Sequence, residues 1–546
     1  MASQADFKGP WEELGAKKRR ELTSSIPEQW RIPPTLLPPD SQDDVTRWPE
    51  TSGWFTPQEL AITRLSALEL IPKLASGQLK SEEVTRAFCK RAAAAHQLTN
   101  CLTATCFDRA LATARTRDEH LARTGKPIGP LHGLPISLKD NFNLIGLDST
   151  VGIAAHVDDP AETEATLARL LEEAGAVFYV KTNVPTAMMI AESVNNVFGR
   201  TVNPLNRRTT SGGSSGGESA LIAMGGSPLG VGTDIGGSLR IPAACTGIFT
   251  IRPSSGRFPV RDCRSGMPGQ EAVASVNGPM ATTLEDMEFY CRTVAGTQPW
   301  LYDSKCLPIP WRDIQLPKKL KIAVLWTDGL VRPTPPVTRA LKETVKKLTA
   351  AGHEIIEWDP VDQLQGLLLL GGMFIADGGR TIRQQLERTG EPWRPEMLRY
   401  EEAQEIGTSE MWKMQLERTA FQNQYLDRWN EAGIDAILSA TTPYSSTKHD
   451  TFNHFGYTGV WNVLDYSCVS FPTGLKVDKN VDRYDSSYEP LLAAKECQEN
   501  KDNYDADLLH GLPISLQLIA RRLEDEKALA MTKRVLEALT APMPKI

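Results

Sequence analysis

Along the chain, segments with an apolar residue every three or four positions alternate with short, almost uniformly apolar runs. The first spacing draws a stripe down one side of a helix, and the second marks a strand buried on both faces. Three helical segments come first, at residues 58–70, 82–95 and 109–123, opened by Thr56-Pro57, Ser81 and Asp108 as caps. Strands are then predicted at 134–138, 177–180, 248–251, 320–325, 354–357, 436–438 and 514–519. Helices at 162–174, 284–294, 337–351 and 524–539 fall between them. Short buried strands separated by helices belong to a parallel or mixed sheet covered on both faces, so the expected fold class is α/β.

The pattern fails in two places. Residues 1–55 are rich in proline, serine and charge and read as an irregular surface arm without chemistry, leaving 56–546 as a single domain. Residues 200–240 hold ten glycines and six serines, too many for a continuous helix or strand. Glycine loops inside an ordered α/β domain bring backbone N–H groups close to a ligand, which makes this the expected active site. Residues 363–431 read as helices with several aromatics, which fits core or pocket wall.

Composition narrows the class. The 546 residues are 41% hydrophobic and 23% charged, as in folded globular proteins rather than disordered chains. A formal net charge of −7 lacks the basic excess used to hold nucleic acid or anionic membranes, so neither is an expected partner. The longest glycine-and-apolar run, residues 366–376, falls short of the ~20 residues a membrane span needs. Nine cysteines without a C-x-x-C pair, and no apolar stretch behind Lys17-Lys18-Arg19-Arg20 to act as a leader, fit reduced thiols and a cytoplasmic location. Eight histidines form no H-E-x-x-H or comparable pair, so no metal and no cofactor is expected.

Several motifs compete for the chemistry. No phosphate-binding G-x-x-x-x-G-K-[ST] occurs, and residues 230–236 miss the dinucleotide spacing by one. Gly213-Ser214-Ser215-Gly216-Gly217 matches G-x-S-x-G, but a nucleophile elbow needs a buried strand before it and residues 203–210 are polar. Ser445-Ser446-Thr447-Lys448 fits S-x-x-K without its companion motifs and reads as a loop. A serine nucleophile without a histidine needs another base, and a buried lysine serves when its pKa falls from ~10.4 toward about 7–8. Lys139 closes the run Gly133-Leu134-Pro135-Ile136-Ser137-Leu138-Lys139-Asp140, with Asp140 on the opposite face of the extended chain. Taken alone, this stretch reads first as a surface lysine.

Three blocks together resemble the amidase signature family. They are Gly129-Pro130-Leu131-His132 running on into that lysine segment, Gly212-Gly213-Ser214-Ser215-Gly216-Gly217-Glu218, and Gly232-Thr233-Asp234-Ile235-Gly236-Gly237-Ser238-Leu239-Arg240-Ile241-Pro242. The likeness runs over most of the chain, is greatest to fungal acetamidases, and has its signature core at about 130–255. It implies a large mixed sheet flanked by helices and a Ser–cis-Ser–Lys triad: Ser238 as nucleophile, Ser214 as bridge and Lys139 as base. It also implies an oxyanion hole from the N–H groups of Ile235, Gly236, Gly237 and Ser238, with Met188 lining the substrate site. Asp234 and Arg240 are expected to pair and hold the loop. Thr250 and Ser219 stand where the family usually has glycine, which bears on the shape of the acyl pocket. The expected activity is hydrolysis of a small or medium carboxamide. Hydrolysis of bulkier amides or esters and a role as a transamidating subunit are the alternatives, and a homodimer is left open.

Overall fold

Eleven strands share one sheet. In chain order they are β1 (Leu102–Thr105), β2 (Pro135–Lys139), β3 (Val177–Thr182), β4 (Gly230–Asp234), β5 (Phe249–Arg252), β6 (Val276–Ala281), β7 (Lys321–Leu325), β8 (Glu354–Glu357), β9 (Ala436–Ala440), β10 (Ser467–Lys476) and β11 (Pro513–Ala520). They lie side by side as β1-β3-β2-β4-β6-β5-β10-β11-β9-β7-β8. The structure, a computed structural model, describes residues 7–484, 489–492 and 494–541, so the two ends of the chain, 1–6 and 542–546, lie outside the described residues.

The sheet is mixed, as expected. β3, β2 and β4 run parallel, as do β8, β7 and β9, and the remaining neighbours are antiparallel. Every residue of β2, β3, β4 and β9 is buried, which is possible only with both faces covered. Because β3, β2 and β4 are parallel, their carboxyl ends bring Thr182, Lys139 and Asp234 to one edge of the sheet, the edge where open α/β sheets bind ligands.

Seven of the flanking helices bear on the site or on the expectations above: α1 (Trp11–Ser25), α2 (Ser81–Thr99), α3 (Gly216–Ala223), α4 (Arg240–Thr246), α5 (Gln363–Phe374), α6 (Thr408–Ala432) and α7 (Gly456–Leu464). Among the described residues no helix is long and apolar enough to cross a membrane.

The structure corrects the expectations in several places. The arm is not irregular: it opens with α1 and sends Leu22, Ile26, Trp30, Val45 and Trp48 into the core. Seven of the fifteen residues of α1 are charged and it carries no wide apolar stripe; it is docked through Lys18 on Asp148 (2.5 Å) and Lys17 on Asp158 (2.6 Å). The helix expected at 58–70 divides into Pro57–Thr63 and Ala67–Ala75, because Ser66 opens a second capping box with Glu69 as Thr56 does with Glu59. Ser81 is not a cap but the first residue of α2; its N–H and that of Glu82 are taken by the Asp118 carboxylate at 2.7 and 3.0 Å. Asp108 lies in the first turn of the helix Phe107–Thr124, whose cap position is Cys106. The glycine-rich segment holds both α3 and β4. β4 has a single large apolar side chain, Val231, and owes its form to ladders with β2 on one side and β6 on the other.

Candidate active site

Lys139 ends β2 with no exposed surface. Its ammonium nitrogen lies 2.7 Å from Ser214 Oγ, 2.7 Å from Thr233 Oγ1 and 3.5 Å from the Thr233 carbonyl oxygen. Two hydroxyls and a carbonyl do not balance a buried charge. Burial therefore holds the lysine down to about 7, against the pull of Asp234, Glu218 and Asp140 in the other direction. Ser214 follows a cis peptide bond, Gly213–Ser214, just before α3 begins at Gly216.

The loop leaving β4 is built around Asp234. One carboxylate oxygen accepts from Gly237 N–H at 2.8 Å and the other from Leu239 N–H at 3.1 Å. Arg240 closes on the same carboxylate at 3.1 Å and Asn462 of α7 donates to it at 2.8 Å, all fully or nearly buried. The expected pairing of Asp234 with Arg240 is thus present, and Arg240 holds Asp234 down to about 2 against the opposing effect of burial. Thr458 of α7 donates to the Gly236 carbonyl at 2.7 Å. Gly237 has φ +135°, and a side chain there would run into Thr458, so this position takes glycine for two separate reasons.

Because Gly237 N–H is given to Asp234, the expected set of four converging amides reduces to three. Among the described residues the N–H groups of Ile235, Gly236 and Ser238 have no protein acceptor. Ser238 is half-buried, and its carbonyl accepts from Ser215 N–H at 3.2 Å, tying the loop after β4 to the entry of α3. Ser215 Oγ is turned inward onto Thr233, donating to its carbonyl and accepting from its N–H at 3.3 Å each.

Met188 and Ala187 both have positive φ, +60° and +53°. Two consecutive non-glycine residues in this region store backbone strain beside the site. Met188 lines a cavity of about 400 Å³ together with Thr233, Asn141, Met267 and Asn277; Lys139, Ser214 and Ser238 are not in its lining. The hydroxyls of Thr250 and Ser219 are absorbed by backbone carbonyls, Pro279 at 2.8 Å for the first and Ser211 and Gly216 at 3.1 Å for the second. Neither lines this cavity. Phe374, at the end of α5, lies in ordinary contact distance of Gly236.

Two residues of the site were not legible. Thr233 carries no side-chain signal beyond its place next to Asp234, and it meets Lys139 only because β4 lies beside β2 in the sheet. Glu218 was read only as part of a glycine motif. Its carboxyl is buried behind Lys139, bonded to Ser137 and Thr182, and pushed up to about 7 by burial. The nine cysteines form no disulfide with one another, and among the described residues no cluster could hold a metal ion.

A buried lysine touches a serine at the carboxyl edge of a mixed sheet, beside a glycine loop three of whose amides have no protein acceptor among the described residues. The sequence matches the family model described as Amidase over residues 83–529, and the chain belongs to the amidase signature family. It is 41% identical to an acetamidase of Emericella nidulans, over 96% of this chain and 97% of that one. It is 39% identical to an acetamidase of Aspergillus oryzae, over 96% and 98%. A solved fatty acid amide hydrolase superposes with a TM-score of 0.94 at 36% identity, covering 99% of this chain and 97% of its own. The chain is an amide-hydrolysing enzyme.

Proposed function

We propose that the enzyme hydrolyses a small or medium carboxamide through an acyl-Ser238 intermediate, with Ser214 as bridge and Lys139 as base. The observation that carries this reading is the 2.7 Å contact between Ser214 Oγ and a fully buried Lys139 that, among the described residues, makes no direct ion pair. Ser238 gives its proton to Ser214 Oγ as Ser214 gives its own to Lys139 Nζ, and Ser238 Oγ bonds to the amide carbon. The N–H groups of Ile235, Gly236 and Ser238 receive the oxyanion. The proton returns through Ser214 to the leaving nitrogen, the C–N bond breaks, and ammonia or an amine departs. Water then loses a proton along the same path, attacks the acyl carbon and releases the acid, and Ser238 is reprotonated. Met188 forms part of the wall beside the reacting bond.

Likeness to acetamidases over nearly the whole chain supports a short acyl group. Likeness to a fatty acid amide hydrolase supports the second reading, a long one. Ammonia release from straight-chain primary amides separates them, since each methylene is worth only ~1–3 kcal/mol in a fitting pocket. A kcat/KM that peaks at two to about four acyl carbons supports the first reading; a steady rise with length overturns it in favour of the second. Labelling by a fluorophosphonate should fall on Ser238 and vanish in Ser238→Ala. Labelling at Ser215 instead would sink the nucleophile assignment.

A further inference from the structure

Glu218, in the first turn of α3, has no exposed surface and, among the described residues, no cation paired with it. Its Oε2 accepts from Thr182 Oγ1 at 2.6 Å, and its Oε1 is hydrogen-bonded to Ser137 Oγ. Thr182 is the register partner of Lys139 on β3, and Ser137 is two residues before Lys139 on the same face of β2. A side chain on Gly230 would come within 1.9 Å of Oε1, so the carboxyl is packed tightly between β2, β3 and β4.

The protons along this chain can be counted. Ser227 Oγ donates to the Leu229 carbonyl at 2.9 Å, which spends its one proton. The 2.7 Å bond between Ser137 Oγ and Ser227 Oγ must then be donated by Ser137, which spends that proton too. What remains is the bond between Ser137 and Glu218, and its proton has to come from the carboxyl. We propose that Glu218 is held as an uncharged carboxylic acid donating to Ser137 Oγ, which removes a buried negative charge that would favour Lys139 as an ammonium. The inference rests on Lys139 being the base.

The surroundings agree. The other ionisable groups that face Glu218 are Lys139 on β2, Tyr179 on β3 and Cys101 before β1, and burial pushes the phenol and the thiol up so that both stay neutral. Of the remaining carboxyls that act on Lys139, Asp234 is neutralised by Arg240, and Asp140 accepts from Val151 N–H at 2.7 Å and also acts on Lys181. Glu218 and Lys139 thus share one proton between two sites. In a dry interior the neutral pair is favoured over two charges, since each buried ion costs several kcal/mol. Glu218 is a positioning residue: it acts through Lys139 and touches no reacting atom.

Infrared spectroscopy and kinetics on the full-length enzyme test this. Wild type should show the carbonyl stretch of a protonated carboxylic acid, absent in Glu218→Gln and raised in frequency in Ser137→Ala, where the acceptor is gone. Glutamine preserves both hydrogen bonds, so the pH midpoint of kcat/KM in Glu218→Gln should stay within about 0.3 of a unit of wild type. A midpoint shifted about one unit or more to acid, or wild type without the stretch, overturns the proposal. If Glu218→Gln does not fold, the wild-type and Ser137→Ala spectra decide. A Lys139→Ala variant with intact rate and pH dependence would overturn the base reading instead, without moving the stretch.

Discussion

Lys139 shows what it costs to keep an amine uncharged in a protein interior, and on the proposed mechanism that amine is the base. A lysine held at about 7 is protonated and inactive below that value and neutral above it. Activity is therefore expected to rise through a single ionisation near neutrality and stay high into mild alkali, in a pH–rate profile whose limb disappears with Lys139→Ala. The same depression destabilises the fold. Between about 7 and the ordinary 10.5 the unfolded chain binds a proton that the folded chain does not, so stability rises with pH over this window. Lys139→Met should be inactive and yet more stable by up to about 4 kcal/mol at neutral pH, a margin that denaturant titrations should find shrinking toward pH 10.5. The long motifs pointed to Lys139, Ser214 and Ser238, and the structure brings Lys139 and Ser214 within 2.7 Å, whereas Lys139 alone looked like a surface residue. Thr233 and Glu218 carried no such signal, since a threonine and a glutamate acquire their contacts here only from the order of the strands.

At the scale of elements, α7 positions the loop 234–240 as β2 positions Lys139. Thr458 holds the Gly236 carbonyl, and Asn462 holds the carboxylate that takes Gly237 N–H. Thr458→Val keeps the shape and loses the bond, so the loop's amides should lose their aim. The expected result is a fall in kcat of about 10-fold or more with KM little changed, and a stability loss within about 1 kcal/mol, read from steady-state kinetics and thermal melts. Elements whose own side chains decide their form were legible: β8 falls where its apolar pair lies, at Glu354–Glu357. Elements decided by their neighbours were not. β4 is a strand because β2 and β6 flank it, and α1 is a helix that pairs its charges with the 148–158 segment and buries few residues of its own.

Over the whole molecule, the N-terminal segment is part of the core and reaches toward the site. α1 grips Asp148 through Lys18, and the next residues, Ser149, Thr150 and Val151, lead to the bond between Val151 N–H and Asp140 beside Lys139. Deleting residues 1–30 removes Leu22, Ile26 and Trp30 from the core, at about 1.5–3 kcal/mol for each large side chain no longer buried. The truncated chain should melt at lower temperature and lose activity, and a truncation with unchanged melting would show the arm to be dispensable. The order of strands carries a different implication. β11, the last strand in the chain, joins β10 to β9 and so links the two parts of the sheet. From it, Gln517 donates to the Tyr457 carbonyl at 2.7 Å and accepts from Arg240 at 3.4 Å, bracing both α7 and the arginine that closes on Asp234. During synthesis, then, Lys139, Ser214 and Ser238 leave the ribosome long before the strand that braces α7 and Arg240. A nascent chain that ends before β11 is expected to be inactive, which amide turnover by stalled chains of graded length would check.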